Sequence, residues 1–291
     1  MRVAHVTDIH VNVRPSLGEC FNKRFLGAAN LYVAGRKSHF SRVVQQRLVE
    51  DVRNQAPDII ACTGDLTALA TEEEFEEAHA LLAPLFSSVP TVLIPGNHDT
   101  YTGAAATERW IERRFGEWTG EGDWPRLHRI GEIAFVCVDV CRAMALLSSG
   151  VAPPPQLDRL DDMLGELDAG FVFLMVHYPL RGRGGEPYGP WTRNIENASE
   201  LESVLGRHAS GIGAILHGHE HHGFRTELPS DPPVPIFNPG SSGYADLPDA
   251  GRRAHFCIYT IEDGDIKNIE RFAYDGEGFS PEPGGPWSSG A

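Results

Sequence analysis

At 291 residues and 41% hydrophobic content, the chain can form one large domain or two small ones around a real core. Its formal net charge is −15, from 40 acidic against 25 basic residues. That balance argues against tracking a long nucleic acid, whose binding draws on a basic surface and counterion release. No apolar run approaches a membrane span, and five cysteines without a C-x-x-C spacing argue against a disulfide framework. With no leader-like stretch before the first strand pattern, a cytoplasmic location is expected.

The first two-thirds alternates apolar runs with helix-like segments. Strands are predicted over residues 3–7, 59–63, 91–95, 171–176 and 214–216. Helices are predicted over residues 38–54, 71–85, 104–115, 155–167 and 199–207. The second of these starts on a capping box of Thr71 and Glu74. Such alternation argues for parallel strands covered by helices. Residues 126–130 and 133–140 read as a hairpin around Gly131. Segments 224–228, 234–237, 254–260 and 266–272 add a more antiparallel part. One domain is expected over residues 1–273. Residues 274–291, rich in Gly, Pro, Glu and Ser, read as a mobile tail.

Five polar motifs each follow an apolar run. They are Asp8-Ile9-His10, Gly64-Asp65, Gly96-Asn97-His98-Asp99, His177 and Gly218-His219-Glu220-His221. In open α/β sheets, ligands gather beyond the carboxyl ends of strands, where all five lie. Asp8 with His10, and His219 with His221, are two residues apart, so an extended segment turns both side chains to one side. Asp65 can offer two oxygens and Asn97 a neutral carbonyl. Each short motif is weak alone, but Gly-Asn-His-Asp arises by chance only about once in several hundred chains of this length. The inventory suits two neighbouring metal ions in a mixed oxygen and nitrogen sphere.

The ordered motifs D-x-H, G-D, G-N-H-D, H and G-H-x-H resemble the signature of the calcineurin-like metallophosphoesterases, over residues 2–240. The resemblance implies an α/β fold of two packed mixed β-sheets flanked by helices, a four-layer α-β-β-α sandwich. It implies one metal on Asp8, His10, Asp65 and His221, and another on Asp65, Asn97, His177 and His219. Mn, Fe, Zn or Co would suit such ligands better than Mg alone. His98 is implied as the catalytic, non-ligand histidine, with Asp99 as its orienting partner, and a metal-bridging hydroxide as nucleophile. Many relatives carry G-D-x-x-D where this chain has Ala68. The G-D-x-x-D-R-G and G-N-H-E pair of protein phosphatases is absent, which disfavours that role.

The implied activity is hydrolysis of a small phosphodiester, of the cyclic-nucleotide or glycerophosphodiester type. Two alternatives are a phospholipid or nucleotide-sugar-lipid pyrophosphatase at a membrane surface, and a non-catalytic scaffold of the same fold. The scaffold reading sits poorly with a complete ligand set. The loop 181–193 is Gly-rich, aromatic and basic, so Arg181 and Arg193 are candidates to pair with phosphate, and Tyr188 or Trp191 to stack on a base. Residues 20–49 hold six Lys or Arg and no acid. They are the candidate for peripheral membrane contact, against packing on the protein's own core.

Overall fold

The computed structural model describes residues 1–13, 39–144 and 148–282. Successive strand residues face opposite sides, and here both sides are apolar, so each central strand separates two cores. In β1 (Arg2–Val6), Val3 turns to one core while Ala4 and Val6 turn to another. In β2 (Ile59–Cys62), Ile59 and Ala61 alternate with Ile60 and Cys62 in the same way. β3 (Thr91–Leu93) continues this sheet in parallel. β10 (His255–Glu262), β11 (Asp265–Tyr274) and β12 (Phe279–Pro281) extend it antiparallel beyond β1, in the order β12-β11-β10-β1-β2-β3.

The second sheet runs β4-β5-β6-β7-β9-β8. Its parallel centre is β5 (Ile133–Val138), β6 (Phe171–Val176), β7 (Ala214–Leu216) and β9 (Val234–Gly240). Antiparallel β4 (Arg126–Ile130) and β8 (His222–Leu228) form its edges. The sheets pack face to face through Phe135, Phe173, Phe237 and Tyr259, all fully or nearly fully buried. Each such side chain contributes about 1.5–3 kcal/mol.

α1 (Arg42–Asn54), α2 (Glu72–Phe86), α3 (Gly103–Thr107) and α4 (Trp110–Thr119) cover the first sheet. α5 (Pro154–Glu166) and α6 (Ala198–Arg207) cover the second through Leu157, Leu160, Leu201 and Val204. The result is the expected four-layer sandwich. His5, buried between the sheets against Thr63 and Tyr259, is pushed down to about 3 by burial and stays neutral.

The capping box starts α2: Thr71 Oγ1 accepts from Glu74 N at 3.1 Å, and Glu74 Oε2 accepts from Thr71 N. Two expectations change. The helix expected over 104–115 is two, broken where Arg109 takes a left-handed conformation (φ 53°), a turn that seats Trp110 edge-on against Phe75. The tail expected from residue 274 contains β12, held because buried Phe279 packs on Phe256 and Tyr274 and donates its N–H to Asp51 at 2.8 Å. Residues 283–291 lie outside the described residues, as does much of the basic 20–49 segment. Its end, in α1, buries Val44, Leu48 and Val49 in the core. Among the described residues no helix is long and apolar enough to cross a membrane.

Candidate metal centre

The carboxyl ends of β1, β2, β3, β6 and β7 meet at one edge of the sandwich, and the five motifs leave the sheets there. The backbone turns sharply to bring them together. Asp8, His10, Asp65 and His219 all have positive φ, four of the eight non-glycine residues that do so among those described. Such strain clusters where a surrounding framework over-determines it, often at functional sites. The neighbouring glycines are steric requirements. A Cβ on Gly96 would lie 2.2 Å from Asp65 N, and one on Gly218 2.1 Å from Thr7 Oγ1 and 2.5 Å from Asp8 Oδ2.

Two groups of donors result. In the first, donor atoms of Asp8, His10, Asp65 and His221 all lie within 4.8 Å of one another. His10 Nε2 is 3.1 Å from His221 Nε2 and 3.6 Å from Asp65 Oδ2, and His221 Nε2 is 3.5 Å from Asp8 Oδ1. In the second, Asn97 Oδ1 is 3.1 Å from His177 Nε2 and 2.8 Å from His219 Nδ1, while His177 Nε2 is 3.4 Å from Asp65 Oδ2. Ligands about 2.1 Å from a common ion sit about 3.0–3.5 Å apart, so these spacings fit a metal sphere. Asp65 Oδ2 belongs to both groups.

The imidazoles are aimed from behind, as metal-binding histidines usually are. His10 Nδ1 donates to Thr67 O, His177 Nδ1 to Thr63 O at 2.7 Å, and His221 Nδ1 pairs with Tyr244 O–H at 2.9 Å. Gln45, buried on α1, donates its amide to Ile9 O at 2.8 Å and His10 O at 3.2 Å. Asp8 accepts from Thr7 Oγ1 and His219 N. Burial alone would lower the imidazole of His177, yet Asp65 beside it lifts it to about 9. Burial would likewise raise Asp65, but His177, His98 and His10 hold it well below the usual carboxylate range. A cation at this position would displace the protons such a cluster otherwise retains.

A cavity of about 530 Å³ opens over the cluster, lined by Asp65, Asn97, His98, His219 and His221, and farther out by Arg193, Glu220 and Tyr244. His98 Nδ1 donates to Ala68 O at 2.6 Å, its backbone N–H donates to Asp65 Oδ1, and its ring stacks on Tyr101. The backbone carbonyl at residue 68 orients the imidazole, so the missing acid there does not leave the ring without an anchor.

Asp99 does not orient His98. Its carboxylate is wholly buried and accepts from Gly96 N, Leu66 N, Thr67 N and Thr67 Oγ1, tying two motif loops together. Burial, then the charge of Asp65, pushes it up to about 6. Arg181, expected to pair with phosphate, pairs instead with Glu202 on α6 and is not among the residues lining the cavity. Arg193 does line it, 3.3 Å from Glu220 Oε1. Tyr188 donates its hydroxyl to Glu220. His222 lines the cavity, whereas His217 is buried against Phe224, kept neutral by burial, which pushes it down to about 4. Gln45, Tyr244 and Glu220 were missed because none sits in a recognisable spacing, although Glu220 lies inside the last motif.

A family model described as calcineurin-like phosphoesterase matches residues 1–223. Among curated proteins, no sequence matches the chain. A dimetal phosphatase from Danio rerio is 13% identical with a TM-score of 0.63, covering 94% of this chain and 95% of that one. The purple acid phosphatase PPD1 of yellow lupin (Lupinus luteus) is 14% identical with a TM-score of 0.59; the match covers 96% of this chain but only 52% of that longer protein. The protein TT1561 of Thermus thermophilus is 11% identical with a TM-score of 0.54, covering 93% of this chain and 97% of that one. At these identities the likeness establishes the fold.

Proposed function

Because the chain belongs to the calcineurin-like phosphoesterase family, we propose that it is a dinuclear metal-dependent hydrolase of small phosphodiesters, of the cyclic-nucleotide or glycerophosphodiester type. The observation that carries the reading is Asp65 Oδ2, common to both donor groups beneath one cavity. Asp8, His10, Asp65 and His221 would hold one ion, and Asp65, Asn97, His177 and His219 the other. Mixed imidazole, amide and carboxylate donors favour Mn, Fe, Zn or Co over Mg alone. Ions bound there supply Lewis acidity, making water a competent nucleophile near neutral pH and neutralising charge on phosphoryl oxygens.

The protein's own groups do the rest. His98 has Nδ1–H committed to Ala68 O, so Nε2 is the atom that exchanges a proton with the departing ester oxygen. Asp99 holds the Gly64–Asp65 and Gly96–Asn97 loops in register, which keeps Asp65 and Asn97 at their separation. The cavity, within the usual range of about 300–1,000 Å³ for small-molecule sites, leaves room for an organic arm beyond the phosphoryl group. Buried free thiols at Cys62, Cys137 and Cys257 support a reducing, cytoplasmic compartment. The lipid-pyrophosphatase alternative drew on residues 20–49, and gains no support from the part of that segment described in α1.

The test is a reconstitution series with Mn, Fe, Zn and Co, assayed on matched phosphomonoesters and phosphodiesters including cyclic nucleotides. The reading expects a higher kcat/KM on diesters with at least one metal. A preference for monoesters with every metal would sink it.

A further inference from the structure

The outer wall of the cavity has a charge balance that bears on the substrate. Arg193 Nη2 lies 3.3 Å from Glu220 Oε1, and Tyr188 donates its hydroxyl to the same oxygen. One positive and one negative group therefore cancel beside the hydroxyl-bearing residues Ser148, Thr192 and Tyr244. This rim is built rather than incidental. Ser148 N–H donates to Thr192 O, Gly150 N–H to Asn194 O and Glu196 N–H to Gly150 O, each at 2.9 Å. Tyr178, which directly follows His177, donates its hydroxyl to Ser148 O. A short bridged pair of segments thus fixes Thr192 and Arg193 relative to the metal-binding edge.

We propose that Glu220 and Arg193 form a neutral donor–acceptor clamp that selects phosphoesters whose organic arm carries neighbouring hydroxyls, such as a glyceryl or ribosyl group. Glu220 accepts from one hydroxyl and Arg193 donates to its neighbour, while Tyr188 keeps the carboxylate in place. A second phosphate in this position meets the Glu220 carboxylate, and Arg193, the one guanidinium among the described residues lining the cavity, is already paired. A quaternary ammonium arm gains little, because Arg193 offsets the carboxylate. The diol arm alone uses both halves of the pair without leaving either unmatched, and a site built to hydrogen-bond a hydroxyl rejects the analogue that lacks it.

The clamp rests on the reading of the neighbouring donor cluster as a phosphoester site, and two readouts separate the two claims. The first is kcat/KM of the Mn-loaded full chain on 2,3-dihydroxypropyl and n-propyl 4-nitrophenyl phosphate. The second is the dissociation constant for non-hydrolysable 2,3-dihydroxypropylphosphonate against n-propylphosphonate. The wild type is expected to favour the diol by about tenfold or more in both. Glu220→Leu, and independently the solvent-facing Arg193→Met, are expected to bring each pair to within about twofold. No diol preference in the wild type, or a preference surviving in both variants, overturns the clamp. Phosphonate preference without turnover of either ester upholds the clamp and overturns the hydrolase reading instead.

Discussion

Replacing Asp99 with Asn separates two roles for this residue. The carboxylate accepts four hydrogen bonds at 3.0–3.1 Å, three on Oδ1 and one, from Gly96 N, on Oδ2. Asparagine keeps the shape and one oxygen, but its NH2 group must face Gly96 N–H or surrender the other three donors. A lost bond to a charged acceptor together with a stranded buried N–H costs about 2–4 kcal/mol. For a chain of 291 residues that lowers Tm by roughly 3–7 °C. Calorimetry or a thermal shift at saturating Mn checks the figure. Because His98 Nδ1 is anchored on Ala68 O, kcat well below the new Tm should fall less than about tenfold. An orienting carboxylate for the imidazole would instead cost about 10⁴ in kcat with stability retained. An unchanged Tm with a hundredfold or larger loss of kcat would refute the bracing role.

Two further outcomes follow from the same geometry. His98→Ala should keep both metals by elemental analysis, yet lose about 10²–10⁴ in kcat on an alkyl diester and much less on a nitrophenyl one, whose leaving group needs no proton; equal losses on both would contradict the acid role. Glu74, fully buried beneath Leu69 N and Thr71 N, is pushed up to about 7 by burial. A raised folded-state value means stability is fully present below the unfolded value and lost as pH rises toward 7. Wild type should therefore lose up to about 3 kcal/mol relative to Glu74→Gln between pH 4.5 and 8, read by urea unfolding; parallel pH profiles would show that Glu74 is not neutral when folded.

The seven donor residues were legible because each sits in a short motif directly after an apolar run, and the carboxyl ends of neighbouring strands must converge. The layer order was legible for a similar reason: unbroken apolar strands need a core on each face, as Phe171–Val176 has. What stayed hidden depends on partners far apart in the chain. Asp99 reads as a histidine's neighbour, but three of its four donors come from Leu66 and Thr67, over thirty residues away. Arg181 reads as a free cation until Glu202 is brought beside it by α6. Phe279 sits in Gly-rich sequence, and its anchor, Asp51, is 228 residues distant. The break at Arg109 had no glycine or proline to announce it, because tertiary packing of Trp110 overrides the local helical pattern.

Two adjacent ions in the donor cluster would share Asp65, whose Oδ2 belongs to both groups. Electron paramagnetic resonance of the metal-stripped chain titrated with Mn²⁺ tests it most directly, alongside elemental stoichiometry. Two ions per chain with an exchange-coupled signal are expected, with loss of that coupling in Asp65→Asn. One ion per chain, or two that remain magnetically independent in the wild type, would contradict it.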